Sequence, residues 1–285
     1  MEPKDIRHVG VVGCGLMGSG IVEVVARRGA SVTFLEGSDD LVAHGLAAIG
    51  RSLGKAVHRG KLLEAERTAV MGRITGATLP DAIADVDFVI EAATEQLEAK
   101  LEIFRVLGGA TRPEVIIASN TSSIPIVELG VASGRPDLVV GMHFFNPAPV
   151  MRLLELTPSL ATSEETLASV RAYGEHLGKT CVVAKDRAGF IVNRLLIPYL
   201  YDAVRLLDEG FATREDIDAA IGLGLAHPMG PLALIDLIGL DTALHIGEVL
   251  HAEFHEPRFA PPPMLRRLVA AGQLGKKSGA GFYEY

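Results

Sequence analysis

The chain has 285 residues, 48% of them apolar and 22% charged, a globular composition long enough for two domains, each with a core of its own. A formal net charge of -8 argues against nucleic acid as a partner, because phosphate backbones need a basic face, and no apolar run approaches the ~18 residues of a membrane span. Polar Glu2, Lys4 and Asp5 leave no room for a signal-type segment before the first strand, and Cys14 and Cys181 are too few for a disulfide framework, so a soluble cytoplasmic protein without a metal site is expected.

The first elements form a βαβ unit: a buried strand over Ile6 to Val12, a turn over Gly13 to Gly18, a helix over Ile21 to Arg28 and a strand over Ser31 to Leu35. A helical segment from about Asp39 to His58 comes next, where a dinucleotide fold would ordinarily go on to its third strand. Further apolar runs at Val86 to Ile90, Val115 to Ala118 and Leu138 to Met142, with a helix at Leu97 to Leu107, predict a mostly parallel sheet covered on both faces, a Rossmann-type doubly wound arrangement. Strands at Leu153 to Leu156 and Thr180 to Val183 close this region. Beyond Gly189 the periodicity is helical: Phe190 to Glu209 with Pro198 inside it as a predicted kink, Arg214 to Leu223, Pro231 to Phe254 with breaks, and Pro263 to Ala271. The expected division is a nucleotide-binding domain over 1–187 and an all-helical domain over 188–285. The apolar surface of the latter predicts a homodimer.

Gly13-Cys14-Gly15-Leu16-Met17-Gly18 matches G-x-G-x-x-G between a strand and a helix. Its glycines suit a tight turn, approach of backbone to a pyrophosphate, and close helix packing. Cys14 reads as a small buried thiol. Glu36 ends the second strand, where a carboxylate can hold both ribose hydroxyls of an adenosine. No Lys or Arg lies between Glu36 and Arg51 to welcome a 2'-phosphate, so NAD is expected over NADP. On the following helix Arg51, Lys55, His58 and Arg59 share one face, with Leu46, Ile49, Leu53 and Ala56 forming the apolar one. That stripe is either a solvated surface or a seat for a second anionic ligand such as an acyl-CoA with its three phosphates.

His143 is expected at the carboxyl end of its strand, where open α/β sheets bind ligands. Glu155, on the next predicted strand, can orient the imidazole and stabilise its charged form, the pairing that a hydride-transfer enzyme needs to manage an alcohol proton near neutral pH. Upstream, Ser119-Asn120-Thr121-Ser122-Ser123 follows another strand at the same edge. Ser122 reads equally as a partner for a substrate oxygen or as a cap for a helix beginning near Ile124.

The runs SNTSS at 119–123, HFFNPAPVM at 143–151, GFIVNRLLIPYL at 189–200, HPMGP at 227–231, GLD at 239–241 and the closing GKKSGAGFYEY resemble the L-3-hydroxyacyl-CoA dehydrogenase family over the whole chain, most nearly its free-standing 3-hydroxybutyryl-CoA members. The resemblance implies His143 as acid/base with Glu155 as its partner, and Ser122 and Asn193 at the substrate's 3-oxygen. It implies NAD contacts from Glu36, Glu95, Lys100, Ser122, Asn146 and Lys277, CoA contacts from Ser52 and Arg59 beside Lys55, and a dimerising helical domain. A dehydrogenase of a free hydroxy or sugar acid, an NADP-preferring enzyme and a dinucleotide binder without catalysis are the other readings that the sequence leaves open.

Overall fold

The computed structural model describes residues 2–285, in two compact units that meet between Arg187 and Ala188. The first unit is built on β1 (His8–Val12), α1 (Leu16–Arg27), β2 (Ser31–Leu35), α2 (Asp39–His58), α3 (Glu64–Met71), β3 (Ile74–Ala77), β4 (Phe88–Glu91), α4 (Leu97–Ala110), β5 (Ile116–Ser119), α5 (Ile126–Ser133), β6 (Val139–Phe144), β7 (Leu153–Pro158), α6 (Glu164–His176) and β8 (Thr180–Val183). The strands form one sheet in the order β3-β2-β1-β4-β5-β6-β7-β8. All neighbours are parallel except β6 and β7. The doubly wound arrangement expected from the apolar runs is present.

Strand alternation sorts side chains onto two cores. Val9, Val11, Phe88, Ile90, Val140, Met142 and Phe144 join α1, α2 and α6 in one. Val89, Ile117 and Val139 join Phe104, Leu107, Ile126 and Leu129 of α4 and α5 in the other. By the two-residue period of a strand, Gly141 and His143 face the α5 side. An added Cβ on Gly141 would lie 3.1 Å from Ile126 Cδ1. The sequence thus sets the direction in which His143 points through the alternation of β6.

Helix α2 covers the span expected. The Ser38 hydroxyl accepts the Leu41 N–H, and Asp39 and Asp40 occupy the first turn, where carboxylates favour a helix. Ile49 and Leu53 are buried, while Arg51, Lys55, His58 and Arg59 are exposed. Helices α3 and α6 and strand β3 were not expected from sequence. Ile74–Ala77 is a short edge strand and is only half-buried, so it lacks the long apolar run that marks a central strand. β6 runs two residues further than its apolar pattern, which places His143 inside it.

The second unit contains α7 (Val192–Asp208), α8 (Arg214–Gly224), α9 (Pro231–Ile238), α10 (Leu240–Phe254) and α11 (Pro263–Ala270) around a core of Ile197, Leu200, Tyr201, Val204, Leu232, Ile235, Leu250 and Leu265. Pro198 lies within α7, and Gly239, at φ 102, divides α9 from α10. The closing segment is pinned by two carboxylates. Buried Asp236 accepts the Phe282 and Tyr283 N–H groups at 2.9 and 2.8 Å and the Tyr285 hydroxyl at 3.2 Å. Asp218 accepts the Leu232 and Ala233 amides at the start of α9 and the Tyr283 hydroxyl. The glycines of GKKSGAGFYEY fit this clasp by closeness: an added Cβ at Gly281 would lie 2.1 Å from Asp236 Oδ1. Among the described residues no helix is long and apolar enough to cross a membrane.

Candidate active site

The turn between β1 and α1 is shaped by its glycines. Gly13 takes φ 87, and a Cβ there would lie 2.5 Å from Ala93 Cα, while one on Gly18 would lie 1.9 Å from the Gly13 carbonyl oxygen. Gly15 meets nothing within 4 Å, so the approach to the turn stays open. Ser19 N–H donates to Gly15 O as the first helical bond, and the amides before it have no acceptor in the helix, the arrangement that suits a pyrophosphate. Leu16 is 76% exposed beside the opening, and Met17 packs on the core beneath.

Glu36 reaches this turn, its Oε1 accepting the Cys14 N–H at 2.5 Å. Burial and the charge of Glu36 push the Cys14 thiol up to about 12, so it stays protonated and inert, as a small buried side chain should. Beside Glu36 lies a mostly apolar cavity of about 330 Å³ between the β1 and β2 tips and α4, with Leu35, Pro80, Ile103 and Val106 in its walls. No Lys or Arg lines it. An adenosine fits such a space, its ribose against the carboxylate, whereas a 2'-phosphate would find only like charge.

His143 and Glu155 are cross-strand partners in the β6–β7 register. Directly opposed residues of an antiparallel pair project to one face within side-chain reach. His143 Nδ1 lies 2.8 Å from Glu155 Oε2, with Glu155 fully buried and His143 7% exposed. With Nδ1 committed to the carboxylate, proton exchange falls to Nε2. The Phe145 ring flanks the imidazole at 4.6 Å between centroids.

Ser122 sits on the loop after β5, held by the segment that follows β4. Glu95 Oε1 accepts the Ser122 N–H at 2.8 Å and its hydroxyl at 3.2 Å, and Glu95 Oε2 accepts the Thr121 hydroxyl at 2.7 Å. Asn120 ties the loop to the strand of His143, because its Oδ1 accepts the Phe144 N–H at 2.8 Å. The capping role weighed for Ser122 is filled otherwise. Helix α5 begins at Ile126, and the Asp186 carboxylate accepts the Ile126 and Val127 amides at 3.0 and 3.1 Å.

Lys100 departs from expectation. It is 1% exposed, and its ammonium donates to both oxygens of buried Glu91 at 2.8 and 2.6 Å. The structure turns this amine inward, onto the carboxylate that ends β4. Asn146 is exposed two residues beyond β6, and Ser52, Lys55 and Arg59 lie along α2. In the second unit Asn193 stands in the first turn of α7, and Lys277 forms an ion pair with Asp241 at 2.6 Å. Sequence reading missed Glu91, Thr121 and Asp186 as anchors. Only Glu91 left a signal, a carboxylate ending an otherwise apolar strand.

Comparison with known proteins gives a consistent result. Residues 8–187 match the family profile described as 3-hydroxyacyl-CoA dehydrogenase, NAD binding domain, and residues 189–285 match 3-hydroxyacyl-CoA dehydrogenase, C-terminal domain. The chain is similar to a 3-hydroxybutyryl-CoA dehydrogenase of Mycobacterium tuberculosis (strain CDC 1551 / Oshkosh), 49% identical over 282 residues that cover 98% of this chain and 99% of that one. Among solved structures it resembles M. tuberculosis FadB2 at a TM-score of 0.97 and 49% identity, covering 98% and 99% of the two chains. It also resembles (S)-3-hydroxybutyryl-CoA dehydrogenase PaaH1 from Ralstonia eutropha at a TM-score of 0.93 and 46% identity, again covering 98% and 99%.

Proposed function

The chain belongs to the NAD-binding 3-hydroxyacyl-CoA dehydrogenase family, and we propose from that premise that it interconverts short-chain (S)-3-hydroxyacyl-CoA and 3-oxoacyl-CoA with a His143–Glu155 acid/base pair. The observation that carries the reading is the buried 2.8 Å contact between those two side chains near the carboxyl end of β6. The chemistry that bound NAD supplies is acceptance of a hydride from C3, returned in the reverse direction. His143 Nε2 takes the proton of the 3-hydroxyl during oxidation and gives it back during reduction. Glu155 fixes the tautomer through Nδ1 and stabilises the imidazolium that forms. Ser122 and Asn193 donate to the 3-oxygen as negative charge develops there.

The placements fit the NAD contacts assigned to the glycine turn and Glu36. Glu95 serves through Ser122, which it orients, as well as through any contact of its own. Asn146 and Lys277 remain cofactor contacts in this reading, and Lys100 acts through Glu91. On α2 the exposed Arg51, Lys55, His58 and Arg59 form no ion pair among the described residues. The unpaired charges of Arg51, Lys55 and Arg59 on one face suit the phosphates of CoA, with Ser52 and Arg59 as its contacts. A short acyl chain is supported by the similar proteins named for 3-hydroxybutyryl-CoA.

Initial rates test the reading. Acetoacetyl-CoA with NADH should turn over rapidly, NADPH should be a poor substitute, and free acetoacetate should give little. Longer 3-oxoacyl-CoA esters should fall below acetoacetyl-CoA. Turnover of free acetoacetate equal to that of its CoA ester would move the assignment to free hydroxy acids, and preference for NADPH would overturn the role of Glu36.

The same reading makes the protein a cytoplasmic homodimer joined through its helical unit. Leu195, Phe211, Leu223 and Leu225 are large apolar side chains left exposed there, and burying such side chains against a copy is favourable at about 25 cal/mol per Å². Light scattering should give the mass of two chains; a mass of 30.2 kDa, that of one chain, at assay concentration would refute it.

A further inference from the structure

The first unit carries a second concentration of positive charge that the proposed reaction does not use. Arg27 and Arg28 end α1, Arg152 precedes β7, and Lys179 precedes β8. All four line one cavity of about 350 Å³, and no carboxylate lines it. Arg27 is paired with Glu23 at 3.2 Å. Arg28 and Arg152 are exposed and have no ion pair or side-chain hydrogen bond among the described residues. The Lys179 ammonium is buried, donating to the carbonyl oxygens of Ala148 and Met151 at 2.5 and 2.8 Å. Those carbonyls satisfy donors without neutralising the charge. Burial, then the charge of Arg28, hold the Lys179 ammonium below the ordinary lysine value.

Cations at a helix C-terminus favour the helix dipole, which accounts for Arg27 and Arg28 but not for Arg152 or Lys179. The Arg28 guanidinium lies over Gly178, which takes φ 81 and where an added Cβ would lie 2.0 Å from Nη2. A side chain at this position would displace the guanidinium. With Arg27 matched by Glu23, the charges of Arg28, Arg152 and Lys179 are left around one space and repel one another unless an anion lies between them. The volume is at the small end of the ~300–1,000 Å³ range of ligand pockets. Arginine forks match phosphate oxygens in bidentate fashion.

We propose that this cavity binds a compact phosphoanhydride, inorganic pyrophosphate or the polyphosphate of a nucleotide, at a site separate from the dinucleotide and CoA positions. It shares no lining residue with the glycine turn or with α2. It lies at the far end of α1 from Gly15, about 18 Å along a helix of twelve residues.

The test is calorimetric titration of the full-length protein, saturated with NADH, using inorganic pyrophosphate and, separately, ADP. Saturable binding is expected, weakening as salt is raised. Arg28→Gln and Arg152→Gln change exposed side chains, should fold as the parent does by circular dichroism, and should each weaken binding by about tenfold or more, the cost of one charge-assisted hydrogen bond. Arg59→Gln should leave it unchanged. Tighter binding of ADP than of pyrophosphate identifies a nucleotide site, and equal binding identifies a site for the phosphates alone; both support the proposal. Absence of saturable binding, persistence of binding in the Arg28→Gln/Arg152→Gln protein, or loss in Arg59→Gln alone would overturn it.

Discussion

His143→Gln is expected to lower kcat for acetoacetyl-CoA reduction by about 100- to 10,000-fold, the usual worth of a positioned acid/base, with folding and NADH affinity retained. Glutamine can keep a hydrogen bond toward Glu155 but cannot carry a proton to the 3-oxygen. Glu155→Gln should fall in the same range for a different reason. Glu155 is fully buried, 2.8 Å from Nδ1, and an amide there can neither stabilise the imidazolium nor enforce one tautomer. Because the two side chains act as a unit, the double variant should be scarcely slower than the worse single one. Stopped-flow reduction with saturating NADH separates chemistry from product release. A folded His143→Gln protein within about tenfold of the parent rate would be outside what loss of an acid/base allows and would remove His143 from the mechanism. Strict additivity in the double variant would remove the pairing.

That pair was legible because two independent signals met: a histidine at the end of an apolar strand, and a glutamate on the next one. What the sequence could not supply was the antiparallel turn of β7 against β6. Had β7 run parallel, the same two residues would not have been directly opposed in this way; the register that opposes His143 to Glu155 is a property of the pairing. The doubly wound sheet was legible for a related reason, since strands buried on both faces read as uninterrupted apolar runs, as in residues 139–142 of β6. The edge strand Ile74–Ala77 carries an exposed Thr75 and a Gly76 at which an added Cβ would lie 2.3 Å from Val42 Cγ1, and it left no such mark. The pairing of Lys100 with Glu91 was opaque for a different reason. A lysine on a helix looks solvated unless its carboxylate is known to be buried beneath it, and that juxtaposition arises only when α4 packs on the sheet.

The buried Lys100–Glu91 pair leads to the second large effect. Lys100→Met should cost about 3–5 kcal/mol, because it strands an unpaired carboxylate in the interior; the melting temperature should fall on the order of 10 °C. Glu91 retains the Ser119 hydroxyl at 2.7 Å and the Ala93 N–H at 2.8 Å, which soften the loss without replacing a full charge. The double variant Lys100→Met/Glu91→Gln, with both charges removed, should recover most of the stability, since a neutral amide can still meet some of these partners and the uncompensated charge is gone. Urea melts of the full-length protein would measure both changes. If Lys100 instead met the cofactor directly, its loss would weaken NADH binding while leaving the melt of the unliganded protein unmoved. The pair also bears on catalysis through position. The Glu91 carbonyl oxygen accepts the Asn120 N–H at 2.7 Å, and the Asn120 side chain accepts the N–H of Phe144, next to His143. The doubly substituted protein should therefore regain its stability more fully than its kcat, because restoring neutrality does not restore the geometry with which Glu91 holds Ser119 and the loop carrying Ser122.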